Sequence, residues 1–170
     1  FFELLDRGGF TFTRWVRQAP YLPGCGAPAS TPHAALLARL PRQAQYAAME
    51  LFRGTMARHS AIACVSDDAC APRAVRFDGD EWLGYVPISV PGTIAVRERL
   101  PAGAAAVLIN RNHVDTDLYL PVSARQERLL AAVDGERTIA EICGDAEDRT
   151  FARDFFKQLW EWDQIVFNAS

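Results

Sequence analysis

The chain of 170 residues has no apolar run approaching the roughly 18 to 20 residues needed to cross a bilayer, so a membrane-spanning helix is not expected. It opens with no charged-then-apolar leader and cleavage site, and a cytoplasmic location is the expectation. No CxxC pair occurs among the four cysteines, Cys25, Cys64, Cys70 and Cys143, and His33, His59 and His113 are equally scattered. Zinc needs clustered thiolate or imidazole ligands, so reduced, mostly buried thiols are expected and no metal. Charge of one sign is also scarce: the net charge of −3 gives no general attraction to a polyanion, and nucleic acid is not an expected partner.

What is present is an ordinary globular composition, 49% apolar and 23% charged, in a chain long enough to bury a core. Three pieces are expected: an α/β segment over residues 1–70, a layer of short strands over 71–121, and a helical module over 122–170. The fold class is therefore α+β.

Residues 122–170 are the clearest block. Ser123 reads as an N-cap with Glu127 one turn in, and Leu129, Leu130 and Val133 form the stripe of a first helix that Asp134-Gly135 stops. Thr138 and Glu141 have capping-box spacing ahead of a short second helix ended by Gly144. After the acidic loop 144–148, Phe151, Phe155, Phe156, Leu159 and Trp160 recur at helical spacing, and Ile165-Val166-Phe167 reads as a strand. The phrase from Val133 to Ile142 resembles the helix-turn-helix core of the small winged-helix domains that bind leader peptides in the biosynthesis of peptide-derived natural products (PqqD-like domains). The resemblance implies a winged-helix-like architecture. On the third helix Asp154, Glu161 and Asp163 read as exposed and acidic, which opposes DNA binding.

At the other end, Phe1, Leu4 and Leu5 form a helical stripe closed by Gly8-Gly9, and residues 10–16 alternate as a strand. A proline-rich loop over residues 20–32 follows. A helix from Thr31-Pro32 to Leu40 then leads to a second one starting at Pro41, with Gln45, Met49, Phe52 and Met56 on one face. Residues 59–65 fit a largely buried strand. Short strands are expected at Ala74–Phe77, Trp82–Val86, Thr93–Val96 and Ala105–Ile109, with an edge strand within Asp115–Leu120.

The order Leu4-Leu5-Asp6-Arg7-Gly8-Gly9-Phe10, strand, inserted helical pair, apolar strand resembles the C-terminal end of a class I S-adenosylmethionine-dependent methyltransferase domain, where a helix-glycine-strand step leads into the last antiparallel strand pair. Arg14 to Pro23 is similar to a segment found late in bacterial proteins of that kind, some with a winged-helix tail. The resemblance implies the C-terminal, substrate-binding or regulatory region of a methyltransferase-like protein, with an upstream methyltransferase domain as partner, a small-molecule or peptide substrate, and a homodimer left open. The chain begins within an apolar pattern and without an initiator methionine, in keeping with a piece of something longer. The family's glycine-rich cofactor loop is absent, so S-adenosylmethionine is implied for the longer protein and no cofactor is expected on this chain. Whether the longer protein is an active enzyme stays open; the alternative is a non-catalytic module that docks a peptide or protein on its winged helix.

Five residues stand out as candidates for substrate binding. Arg14, Trp15, Arg17 and Tyr21 form an arginine-aromatic group suited to a planar or anionic substrate. Strand alternation puts Trp15 and Arg17 on one face, with Arg17 placed to hold a carboxylate or phosphate. His113, in Asn110-Arg111-Asn112-His113-Val114-Asp115, sits beside a carboxylate that suits acid-base work. No catalytic, cofactor-binding or metal residue is expected.

Overall fold

The structure, a computed structural model, describes residues 1–65, 75–144 and 148–169. It is mixed α+β with small antiparallel sheets. Two compact units divide the chain, Phe1–Ala74 and Val75–Ser170, so the short strands and the helical module belong to one unit. Among the described residues no helix is long and apolar enough to cross a membrane. Cys70, Ala74 and the 145–147 part of the acidic loop, all named above, lie outside the described residues.

In the first unit, helix α1 (Phe2–Arg7) ends at Gly8 and strand β1 (Phe10–Trp15) follows. Gly9 turns the chain with φ of 70°, in the left-handed region where a side chain is strained. Strand β2 (Ala61–Val65) pairs antiparallel with β1, from Phe10 opposite Val65 to Trp15 opposite Ala61, with a register shift between Phe12 and Arg14. Between the two strands come 3-10 turns at Ala19–Tyr21 and Ala27–Ser30, then helices α2 (Ala34–Leu37) and α3 (Arg42–Arg53). The first inserted helix is thus one turn, not the span from Thr31 to Leu40, and Pro41 is the N-cap of α3 with extended ψ of 146°.

Helix α3 buries Gln45, Tyr46 and Met49. Phe52, expected on that face, is 51% exposed, and Met56 lies beyond the helix, which stops at Gly54 in the left-handed conformation. The core of this unit is aromatic. Trp15 stacks on Tyr21 with ring centroids 4.2 Å apart and meets Phe1, Phe2, Phe12 and Tyr46 at 4.9 to 6.0 Å.

In the second unit, residues 75–77 are not a strand, and the segment read as strand Trp82–Val86 is a 3-10 turn, Glu81–Gly84, that buries Trp82. The apolar residues of so short a run do not tell a strand from a turn of helix. Strand β3 (Val86–Ser89) comes next, then β4 (Thr93–Val96), β5 (Ala106–Asn110) and β6 (Tyr119–Val122). Strands β4, β5 and β6 form an antiparallel meander, and β5, its centre, buries Ala106, Leu108 and Asn110. At the turn into β4, a Cβ on Gly92 would run into the side-chain amides of Asn110 and Asn112, so any other residue there requires these amides to shift.

Helix α4 (Ala124–Ala131) is capped by Ser123, whose partner in the capping box is Gln126; Glu127 instead pairs with Arg97 at 2.7 Å. Helix α5 (Ile139–Cys143) carries the expected Thr138–Glu141 box. Helix α6 (Arg149–Glu161) buries Ala152, Phe155, Phe156 and Leu159, and Phe151 is half-buried with the Arg125 guanidinium 3.8 Å from its ring centre. Strand β7 (Ile165–Asn168) closes the unit by pairing antiparallel with β3.

The turn between α4 and α5 is built on Asp134. Its carboxylate accepts from the amides of Glu136 and Arg137, each at 3.0 Å, and from Arg137 Nε at 2.6 Å. The amide of Arg137, then that of Glu136, then the guanidinium hold the Asp134 carboxyl well below its ordinary range. Glu141 is lowered by the Thr138 amide and then by its hydroxyl. A depressed folded-state pKa contributes stability that is present above the unfolded value, near 4 for both types, and is lost as pH falls toward the folded one. The side-chain carboxyl carbons of Asp134 and Glu141 are therefore expected to titrate by NMR below about 3.9 and 4.3 respectively. Midpoints at or above those values would mean that the turn's hydrogen bonds do not persist in solution.

Candidate functional site

The structure brings Arg14, Trp15, Arg17 and Tyr21 together in the first unit, though not as alternation along a strand predicts. Strand β1 ends at Trp15, and Val16 and Arg17 lie in a bend, so a two-residue period does not carry from Trp15 to Arg17. The bend is fixed locally: Gln18 Oε1 accepts from the Trp15 amide at 3.1 Å, and the Val16 amide donates to the Ser60 carbonyl at 2.8 Å. Arg14 Nε donates to the Trp15 carbonyl at 3.2 Å.

Trp15 and Tyr21 are interior residues, 3% and 6% exposed. They form the wall of the site. The groups that reach solvent beside them are Arg17, His59 and Glu50. Tyr21 Oη lies 2.7 Å from His59 Nδ1, and His59 Nε2 lies 3.5 Å from Glu50 Oε1.

Burial raises the Tyr21 phenol above its ordinary range, the negative charge of Glu50 adds to this, and the positive charge of Arg17 opposes it. The Tyr21 hydroxyl and His59 Nδ1 share one hydrogen bond, whose direction follows the imidazole tautomer, and Nε2 faces Glu50. The result is a phenol-imidazole-carboxylate chain running from the interior to the surface, with a guanidinium nearby. Such a chain can pass a proton outward while Arg17 offers an anion a partner.

His59 and Glu50 are the residues that sequence reasoning missed. His59 stands 38 positions from Tyr21, and no spacing signals the contact. Their approach follows from the β1–β2 pairing, which carries the start of β2 to the end of β1.

His113 belongs to the second unit, and its carboxylate partner is Asp163 rather than its neighbour Asp115. His113 Nε2 lies 3.0 Å from Asp163 Oδ2, with the side chains only 2% and 5% exposed. Asp163, read from sequence as an exposed position of the third helix, lies past its end at φ of 55° and is buried. Gln164 N donates to the Leu159 carbonyl and Asp163 N to that of Trp160, the pattern of a helix closing through a left-handed residue. Asn110 Nδ2 donates to the Asp163 carbonyl, and Thr93 Oγ1 to that of Gln164. His113 Nδ1 has no hydrogen-bond partner among the described residues. So deep a pair offers a substrate no approach.

Among the described residues, no three or more His, Cys, Asp or Glu are grouped so as to hold a metal ion. No family model matches the chain.

Proposed function

We propose that this chain is the C-terminal, substrate-binding or regulatory part of an S-adenosylmethionine-dependent methyltransferase-like protein, and that it does not bind the cofactor by itself. The observation that carries the reading is the unfinished state of the first unit. Among the described residues its sheet has two strands, and a two-stranded ribbon is marginal in water. Helix α1 buries no residue of its own, and Leu4, Phe10, Ile62 and Val65 are 42 to 74% exposed. Ile62 and Val65 point to opposite faces of β2, as in strands covered on both sides in α/β sheets. An antiparallel pair with apolar residues on both faces is what the edge of a larger sheet would contribute.

The cofactor belongs elsewhere on this reading. Gly8 and Gly9 close the C-terminal end of α1 and offer no amides at a helix N-terminus, so these residues do not fit a nucleotide cradle. Helices α4, α5 and α6 with the closing strand β7 support a winged-helix-like module in the second unit. In the first, Arg17 would hold a substrate carboxylate or phosphate, beside the proton chain of Tyr21, His59 and Glu50.

The test is Arg17→Ala in the longer protein. The apparent substrate constant is expected to rise about tenfold or more, the loss of about 1.5 to 3 kcal/mol for a charged hydrogen bond, with the melting temperature nearly unchanged. A longer protein that transfers no methyl group from S-adenosylmethionine would sink the enzymatic reading. Unchanged kinetics in an active one would remove Arg17 from the site.

A further inference from the structure

One cleft of the second unit, about 320 Å³ in volume, is lined by charges of both signs. Asp78 and Asp80 come from the bend ahead of the Glu81–Gly84 turn, and Arg149 and Arg153 from the first turns of α6, with Gly79, Trp82 and Thr150 completing the lining. The volume falls at the low end of the roughly 300 to 1,000 Å³ typical of small-ligand sites. The arginines are four residues apart and so share one side of their helix.

Among the described residues no ion pair crosses this cleft; Arg153 is engaged by its neighbour Asp154, at 3.1 Å from Nε and 3.0 Å from Nη2. The amides of Thr150 and Phe151 are taken by the Asp148 carboxylate, so attraction for an anion at the start of α6 falls mainly to the guanidinium groups. A polyanion would meet Asp78 and Asp80, and a polycation would meet Arg149 and Arg153. Only a compact ligand carrying both charges gains from both walls. Trp82, 3% exposed, is fixed by burial, so the cleft does not depend on a mobile ring.

We propose that this cleft binds a zwitterion with adjacent ammonium and carboxylate groups, the ammonium toward Asp78 and Asp80 and the carboxylate toward Arg149. Two sources share that chemistry, a free amino acid and a peptide segment with neighbouring basic and acidic side chains. The proposal stands apart from the methyltransferase reading and survives its failure.

The whole ¹⁵N-labelled chain would be titrated with phenylalanine, phenylalaninamide and N-acetylphenylalanine, following the amides of Gly79 and Thr150. Phenylalanine is expected to saturate these shifts at concentrations on the order of millimolar, and each singly charged analogue to bind about tenfold more weakly. Acetyl-Lys-Glu-amide, which carries both charges on side chains, distinguishes the sources: tighter binding than phenylalanine assigns the cleft to a peptide, weaker binding to a free amino acid. Arg149→Gln and Asp80→Asn, both at exposed positions, should each weaken the better ligand about tenfold while leaving the rest of the amide spectrum in place. Equal binding of the singly charged analogues, or no saturating shift with any of the four probes, would overturn the proposal.

Discussion

Replacing His113 with alanine is expected to remove about 1 to 3 kcal/mol from the stability of the second unit, the usual cost of leaving a buried polar group without its hydrogen-bond partner. The imidazole sits 3.0 Å from the Asp163 carboxylate with both side chains almost fully buried, so neither solvent nor a rearranged surface can replace it. The pair also sits at a junction. Through Asp163 and Gln164 it holds the corner from α6 into β7, and through Asn110 and Thr93 that corner is tied to β5 and β4. Asp163→Gly supplies the complementary change, because glycine suits φ of 55° and removes the carboxylate without straining the backbone. The double variant should then be more stable than the sum of the two single losses predicts, since it leaves neither side chain buried without its partner. Denaturant unfolding followed through Trp82, Trp160 and Trp162 measures all three. A cost below about 1 kcal/mol for His113→Ala, or strict additivity, would show that the pair does not hold the corner.

The helical module was legible from the sequence because its signals are local. The Thr138–Glu141 box lies within one turn, and the aromatic period of α6 lies within thirteen residues. The β4 and β5 strands were legible for the same reason, as short apolar runs between turn residues. The failures have physical causes of two kinds. Short apolar runs were assigned the wrong element: Trp82–Val86, read as a strand, is largely the Glu81–Gly84 turn, because a run of that length suits either. Contacts across long separations left no trace in spacing. Neither Tyr21 with His59 nor His113 with Asp163 could be paired without the strand register and the helix closure that bring them together. The site residues Arg14, Trp15, Arg17 and Tyr21 fall together because they are near in sequence. Their roles separate only once burial is known: the two rings form the wall and Arg17 is the group beside them that a ligand could meet.

Trp15→Ala is expected to remove about 3 to 5 kcal/mol from the first unit, which is most of what so small a unit can hold. Trp15 is 3% exposed and its ring meets Phe1, Phe2, Phe12, Tyr21, Tyr46 and His59 within 6.0 Å. Removing it would leave a void that the ribbon cannot close, since both β1 and β2 are already fixed in register. Trp15→Phe separates packing from polarity. The indole Nε1 is buried with no hydrogen-bond partner among the described residues, so losing that donor costs nothing, and part of the desolvation penalty is recovered. The phenylalanine variant should therefore fall within about 1 to 2 kcal/mol of the parent although it is smaller. Exchange of the Trp15 and Val16 amides, which report the end of β1 and its bond to Ser60, would follow the unit directly. If Trp15→Ala protected these amides as well as the parent does, the aromatic cluster would not be what holds the first unit together. If Trp15→Phe proved as damaging as alanine, the indole N–H would have to be engaged in solution, and Trp15 would move from the wall of the candidate site to its contact surface.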